Sequence, residues 1–427
     1  MRAFERSALV PNFSLSDDVF LRAAQQFATP FYLYDEKGIR EAARRVNRAF
    51  GWAPGFREYF AVKALPNPHI LRILMEEGCG LDCSSLTELV LAQRLGAQGD
   101  LIMFSANAMP PEEFSVARSL GALINLDDIS DIQTLRDHGG IPETICLRYN
   151  PGGDFGDEKG VMGSPQTSKY GMTREQLSQG LQTLRHLGVG KFGLHAFLAS
   201  NMNNTEYYPK LAALLFEVGK ELEAQSGLPL AFINLSGGVG IPYRPDEEAA
   251  DILPIGQEVE HAYRAALGDH GNACVAIKAE LGRYMTGPSG WLVTKAMHEK
   301  RIYKHYIGVD ANAANLLRPA MYGAYHHITV AGKRGAPLTH TYDITGSLCE
   351  NNDKFAIDRR MPEIMMGDLL LIHDAGAHAF AMGYQYNGRL RSSEVLYRQD
   401  GSFQLIRRAE NPEDYFATLY GEGLPVF

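Results

Sequence analysis

Long apolar runs, a basic excess and a cysteine framework are all missing from this sequence, and each absence narrows what it can do. Nowhere do about 18 apolar residues follow one another, so no membrane-spanning helix is expected. The opening stretch MRAFERSALVPNFSLSDD has no apolar core of the signal-peptide kind, so no such peptide is expected either. A formal charge of −9, from 41 Lys and Arg against 50 Asp and Glu, leaves no electrostatic footprint for nucleic acid. The five cysteines, Cys79, Cys83, Cys146, Cys274 and Cys349, form neither a paired disulfide framework nor a repeated CxxC zinc pattern. The histidines His326, His327 and His373 likewise lack the spacing of a zinc site, so no metal is expected. Internal repeats, low-complexity tracts and charge blocks are absent too. What remains is an ordinary soluble composition, 45% hydrophobic and 21% charged. It suits a cytoplasmic protein whose partners are small molecules.

With 427 residues the chain exceeds one minimal domain. It has room for a barrel of about 250 residues and a second domain. Short β-rich runs alternate with amphipathic helical stretches. A helix-like DEKGIREAARRVNRAF at 35–50 precedes the strand-like FREYFAVKAL. Further strands are predicted at 80–85, 101–107, 122–128, 144–151, 192–199, 232–238 and 275–283, which makes eight. Several of the intervening helical patterns, such as HILRILMEEG and QLSQGLQTLRHLG, end in the glycine expected just past a helix terminus. The expected fold class is therefore α/β, a (β/α)8 TIM-like barrel over 36–284, followed by a mostly β domain over 285–427. Residues 1–35, with the strand-like FYLYD at 31–35, are expected to pack on that later domain. The Gly-rich stretch at 152–170 fits the tiling least and could form a mobile loop at the active site.

In such a barrel, function gathers at the C-terminal ends of the strands, and phosphate is commonly held by the loops after strands 7 and 8. Lys63 closes the first predicted strand among apolar neighbours, where burial would favour the free amine that a Schiff base needs. A lysine reaching out of a strand end is the plainer alternative. Asp82 lies in the second strand and His195 in the sixth. The glycines of Ser236-Gly237-Gly238-Val239-Gly240 follow the seventh and would let backbone N–H groups approach an anion, although a tight turn alone would also explain them. Glu280 and Arg283 end the eighth, offering a carboxylate to a pyridine nitrogen and a cation to a phosphate or carboxylate. Cys349-Glu350 lies in polar surroundings in the second domain, although a lone cysteine is more often an inert buried residue.

At these positions the sequence resembles the fold-type III pyridoxal-phosphate-dependent amino-acid decarboxylases. The resemblance runs over nearly the whole chain, through FYLYD, YFAVKALPNP, LDCSSLTEL, LSGGVGIPY, ELGR, RPAMYGAYHHI, GSLCENND and GAHAFAMGYQYNGRLRSSEVL. It implies pyridoxal 5'-phosphate as cofactor, held covalently by Lys63. His195 should then stack on its ring and Glu280 pair with its pyridine nitrogen. Gly237, Gly238, Gly240 and Arg283 should bind the phosphate region. Arg283, Arg318, Tyr322 and Glu350 match substrate contacts, and Cys349 matches the proton donor. In this family the Cys-Glu pair typically crosses a dimer interface, so a homodimer with composite active sites is implied. The branch it most resembles acts on the D-configured centre of meso-2,6-diaminopimelate and yields L-lysine.

Three departures stand out. The usual H-x-G-S reads HAFLASN, so Ser200 lies farther along; E-P-G-R reads E-L-G-R; and G-A-Y reads Gly376-Ala377-His378. The last leaves His378, Tyr384 and Tyr386 as candidates for the tyrosine that usually reaches the phosphate. Decarboxylases of ornithine, lysine or arginine are the nearest rivals, but Arg318 favours a distal carboxylate over a monoamine tail. Alanine racemases share the fold class but need a second base in place of the Cys-Glu pair. A non-catalytic homologue is disfavoured by the retained Lys63, Glu280 and Cys349.

Overall fold

The computed structural model describes residues 15–153, 164–268 and 275–419. Most of the Gly-rich stretch at 152–170, Cys274 and the opening MRAFERSALVPNFS fall outside the described residues. Two compact units are seen. A barrel unit is drawn from 40–241 and 248–285, and a sheet unit from residues up to 39, from 242–247 and from 286 onward.

Strand β1 (Phe31–Asp35) belongs to the sheet unit. The barrel follows as β2 (Arg57–Ala61), β3 (Gly80–Cys83), β4 (Ile102–Ser105), β5 (Leu123–Leu126), β6 (Thr144–Arg148), β7 (Lys191–His195), β8 (Leu230–Asn234) and β9 (Ala276–Ala279). Each strand bonds in parallel to the next, and β9 closes on β2. All eight predicted strands are present, but most stop several residues early. Lys63, for example, lies beyond β2 in the single 3-10 turn Val62–Ala64. The helices between them start where local chemistry satisfies their free N–H groups. Asn67 accepts from His69 N ahead of Pro68–Glu76, Ser85 caps Leu86–Arg94, and Thr173 with Gln176 forms a capping box.

The barrel interior is filled in layers. Tyr59, Met103, Cys146 and Phe232, from the alternate strands β2, β4, β6 and β8, form one buried apolar cluster. Strands β3 and β7 make room for it with glycine. A Cβ on Gly80 would come within 2.6 Å of the Tyr59 ring, and one on Gly193 within 2.2 Å of the Phe232 ring. Side chains alternate faces along a strand, so residues two positions farther on return to the interior. There the layer is polar: Asp82, Ser105, Asn125, His195, Asn234 and Glu280. This stepping from an apolar floor to a polar ceiling positions the site.

The sheet unit continues with β10 (Gly290–Arg301), β11 (His305–Val309), β12 (Ile328–Val330), β13 (His340–Thr345), β14 (Lys354–Met361), β15 (Leu369–Ile372), β16 (Ser393–Tyr397) and β17 (Phe403–Arg407). Their order is β14-β13-β11-β10-β1-β16-β17, with β15 bonded to β10 and β12. FYLYD thus lies inside the later sheet, antiparallel to β10 and parallel to β16. Phe20, Phe31, Leu33, Trp291, Val293, Leu371 and Val395 form the core on its one face. The other face holds the buried Glu394 carboxylate, which accepts from Tyr34 Oη at 2.7 Å and pairs with Arg407.

Gly193→Ala is expected to destabilise the barrel by about 1–3 kcal/mol, because the methyl group has no space beside Phe232. Denaturant unfolding measures this, and adding Phe232→Leu should recover part of the loss. An unchanged midpoint in Gly193→Ala would contradict the layered packing.

Candidate active site

The polar ceiling is organised around Glu280, 5% exposed and one residue past β9. Its Oε1 accepts from Asn234 Nδ2 at 2.7 Å and Ser105 Oγ at 3.3 Å. Its Oε2 accepts from Ser236 Oγ at 2.9 Å and faces His195 Nε2 at 3.2 Å. Asn125 Nδ2 joins the set, 3.1 Å from both Ser105 Oγ and His195 Nδ1. With Asn125 donating to Nδ1, the proton of a neutral His195 lies on Nε2 and points at Glu280. Burial opposes charge on both partners. It pushes His195 below its ordinary value, even though Glu280 pulls the other way. Burial acts against Glu280 as well, but His195, Lys63 and Asn234 outweigh it and hold the carboxyl at about 2. The pair is an ionised Glu280 beside a neutral His195, because hydrogen bonds alone can satisfy the carboxylate.

Lys63 carries its amine 3.7 Å from Asp82 Oδ2. The burial expected of Lys63 from its apolar neighbours is not found. Its side chain is 50% exposed, because the 3-10 turn lifts it out of the strand. Asp82 is the buried member of the pair, and neither of its oxygens has a hydrogen-bond partner among the described residues. Burial, with Glu280 adding to it and Lys63 opposing, pushes Asp82 well above the usual carboxylate range.

The glycine turn after β8 is shaped by its neighbours. Ser236 and Gly238 both have positive φ, at 53° and 120°. A Cβ on Gly237 would meet the Glu280 carbonyl oxygen at 2.9 Å. Gly240 does not present a free donor as expected, because its N–H bonds to Met202 O at 2.8 Å and Met202 N bonds to Gly238 O at 2.8 Å. The HAFLASN segment therefore zips against the turn, with Ser200 partly buried in it. The N–H groups of Gly237, Gly238 and Val239 have no partner among the described residues. Three such donors in a bend form a nest that suits an anion. Arg283 opens the short helix Arg283–Thr286 that follows. The E-L-G-R departure is accommodated locally: Leu281 has the N–H that proline would lack, and the buried Glu58 accepts it at 2.6 Å.

Sequence reading missed Ser105, Asn125, Asn234 and Glu58, although period-2 alternation through the predicted strands puts the first three on the face of Asp82 and Glu280. It also missed Arg148, which pairs with Asp127 at 3.2 Å and lies 4.3 Å over the Tyr170 ring.

The remaining predicted residues belong to the sheet unit. Arg318 is buried and opens the helix Arg318–Tyr322, whereas Tyr322 at its end is exposed. Cys349 is an exposed free thiol. Its loop is pinned from below by Asp353, which accepts from Ala313 N at 2.7 Å and Leu348 N at 2.8 Å. Asn387 Oδ1 accepts from Cys349 N at 2.7 Å, which brings the Tyr386–Gly388 turn beside Cys349-Glu350. Burial, with Asp353 and Glu350 close by, raises the Tyr384 hydroxyl above its ordinary value. His378 is half-buried with a left-handed φ of 52°. Of the three candidates for the phosphate-reaching residue, Tyr384 and Tyr386 thus accompany the Cys349 loop within one chain.

A closed barrel with a lysine, an ionised carboxylate and an anion nest at the C-terminal ends of its strands defines a pyridoxal-phosphate enzyme of the barrel type. Comparison with known proteins bears this out. The family model described as "Pyridoxal-dependent decarboxylase, pyridoxal binding domain" matches residues 36–287, and the chain belongs to that family. Protein TabA of Pseudomonas amygdali pv. tabaci is 40% identical, over 94% of this chain and 93% of its own. The diaminopimelate decarboxylase of Methanothermobacter thermautotrophicus is 34% identical, over 94% of each chain. The crystal structure of diaminopimelate decarboxylase from M. jannaschii in complex with L-lysine superposes with a TM-score of 0.86 at 26% identity, covering 94% of both chains.

Asp82 is ionised in the unfolded chain above about pH 4 but resists ionisation in the fold. Its raised value therefore removes stability as pH climbs from about 4. Asp82→Asn is expected to melt higher than the parent in the cofactor-free protein, by a margin that grows as pH rises from about 4, while activity falls. Thermal melts across that range check this, and a margin independent of pH would count against it.

Proposed function

We propose that this chain releases the α-carboxylate of meso-2,6-diaminopimelate as CO2 and yields L-lysine. The observation that carries the reading is Glu280, an ionised carboxylate fixed by four donors at the barrel mouth beside Lys63 and Asp82. Pyridoxal phosphate, when bound, supplies the conjugated ring that accepts the electron pair of the breaking bond.

The residues present fit that group. Lys63 is the amine that would anchor it, and Asp82 lies 3.7 Å from that amine. Glu280 would face the pyridine nitrogen, and its low value lets it keep that nitrogen protonated. His195, neutral and held by Asn125, offers a flat face to the ring. The N–H groups of Gly237, Gly238 and Val239, without partners among the described residues, would take the phosphate together with Arg283, and Ser200, His378 and Tyr386 are the further candidates around it.

Substrate selection falls to the sheet unit. The guanidinium of Arg318 grips the distal carboxylate, a bidentate task that lysine performs poorly. Tyr322 and Glu350 bind the distal amino-acid head, and Cys349 Sγ delivers a proton to the α-carbon that has lost CO2. The relatives named for this activity, and the L-lysine bound in one of them, support the same substrate.

The active assembly is a homodimer with composite sites. The exposed Cys349 shares its unit with Met297 and Ile302, both 59% exposed, and the fully exposed Tyr303 at the β10–β11 turn. A groove of about 610 Å³ lined by Met297, Tyr306, Leu348 and Glu350 continues that surface, and a second copy would cover it. No described helix is long and apolar enough to cross a membrane, and we place the enzyme in the cytoplasm.

Incubating the cofactor-loaded protein with meso-diaminopimelate is expected to give CO2 and lysine in equal amounts, abolished in Lys63→Ala. Release of CO2 from ornithine, lysine or arginine instead would keep the chemistry and overturn the substrate. Mixing and re-associating inactive Lys63→Ala and Cys349→Ala chains should restore roughly a quarter of parental activity, since half the dimers would hold one intact site. No recovery would argue for sites built within one chain.

A further inference from the structure

Arg318 does not hold its place alone. The residue is 7% exposed, and its guanidinium lies 4.4 Å over the Tyr243 ring and brings Nη1 to 2.8 Å from His326 Nε2. An arginine N–H can only donate, so His326 Nε2 must present its lone pair. On the other side His326 Nδ1 is 2.8 Å from the His373 carbonyl oxygen, which can only accept. The proton therefore lies on Nδ1, and His326 is neutral in one defined tautomer. The support behind it is fixed in the same way. Trp291 Nε1, a donor only, is 3.1 Å from His373 Nδ1, which leaves His373 Nε2–H for Thr329 Oγ1 at 2.8 Å.

We infer that His326 is a positioning residue for substrate specificity: its neutral imidazole aims the Arg318 guanidinium at the distal carboxylate. The inference rests on the reading of Arg318 as that carboxylate's clamp. Protonation of His326 replaces the acceptor with a second cation facing the first. Of the groups around it, Arg359 donates to the His326 carbonyl at 3.1 Å, the Tyr243 ring stands in a T-shaped arrangement at 5.0 Å, His373 accepts from Trp291 on Nδ1, and the buried Asp374 follows His373. The His327 ring, 5.3 Å from that of His373, adds a further titratable group to the same wall. Acid thus weakens substrate capture through the clamp without touching the reacting atoms.

The test separates acceptor from bulk. His326→Asn keeps a donor near the Nδ1 position and withdraws the acceptor, whereas His326→Gln places an oxygen near the Nε2 position. For His326→Asn we expect KM for diaminopimelate to rise about tenfold, the order of a hydrogen bond to a charged group, with kcat within about threefold. His326→Gln should keep the parental KM at pH 8 and lose the rise in KM that the parent shows below about pH 6. Nitrogen-15 spectra of the cofactor-free protein should show His326 neutral with its proton on Nδ1, which holds whether or not the variants fold. Arg318→Lys tells the two failures apart. If it leaves KM unchanged, the clamp reading falls and the positioning role falls with it. If it raises KM while His326→Asn does not, or if His326 is an imidazolium or carries its proton on Nε2 at pH 8, the clamp stands and the positioning role is overturned.

Discussion

An ionised carboxylate buried inside a barrel is the constraint on which the rest of this unit depends. A charge taken out of water is tolerated only when donors replace the solvent. Glu280 recruits donors from three different strands or their ends, Ser105 on β4, His195 on β7, and Asn234 with Ser236 at the end of β8. Satisfying it fixes the rotamer of each donor. That in turn fixes the His195 tautomer through Asn125 and the start of the glycine turn through Ser236, whose N–H bonds to Asn234 Oδ1 at 2.8 Å. The site is therefore preorganised by the demands of one charge.

Asp82 shows the opposite economy. It is as deeply buried as Glu280, yet its oxygens have no hydrogen-bond partner among the described residues, and the Lys63 amine is 3.7 Å away. A fold selected for stability alone would replace it. A buried carboxyl next to the half-exposed Lys63 amine suits chemistry in which that amine is alternately bound and released. Stability given up at Asp82 and stability secured at Glu280 belong to one layer of the barrel, two residues above an apolar floor that tolerates neither.

Much of this was legible in the sequence. The eight strands follow from period-2 and helical alternation, and Lys63, Asp82, His195 and Glu280 follow from the rule that barrel chemistry lies at the strand ends. Strand ends were read too long because the apolar pattern of stretches such as AVKAL continues into turns that pack just as tightly. The burial of Lys63 failed for that reason: hydrophobic neighbours in sequence say nothing of a 3-10 turn that swings one side chain outward. Strands β11, β13 and β14 escaped notice because HYIGV, HTYDIT and KFAIDRRM mix His, Asp and Arg into a sheet region with exposed faces. The Gly240 N–H was misread because its acceptor, Met202, lies in a loop whose pairing no local pattern announces.

An ionised Glu280, held by the polar layer, makes the barrel a decarboxylase. Glu280→Gln is the most direct trial, since it preserves shape and removes the charge. Its CO2 release should be measured alongside cofactor content, by absorbance, and far-ultraviolet circular dichroism. We expect a folded protein that still binds pyridoxal phosphate and decarboxylates on the order of a hundredfold or more slowly, as for other preorganised charges. A folded, loaded Glu280→Gln protein within a few-fold of the parental rate would contradict this role for the Glu280 charge.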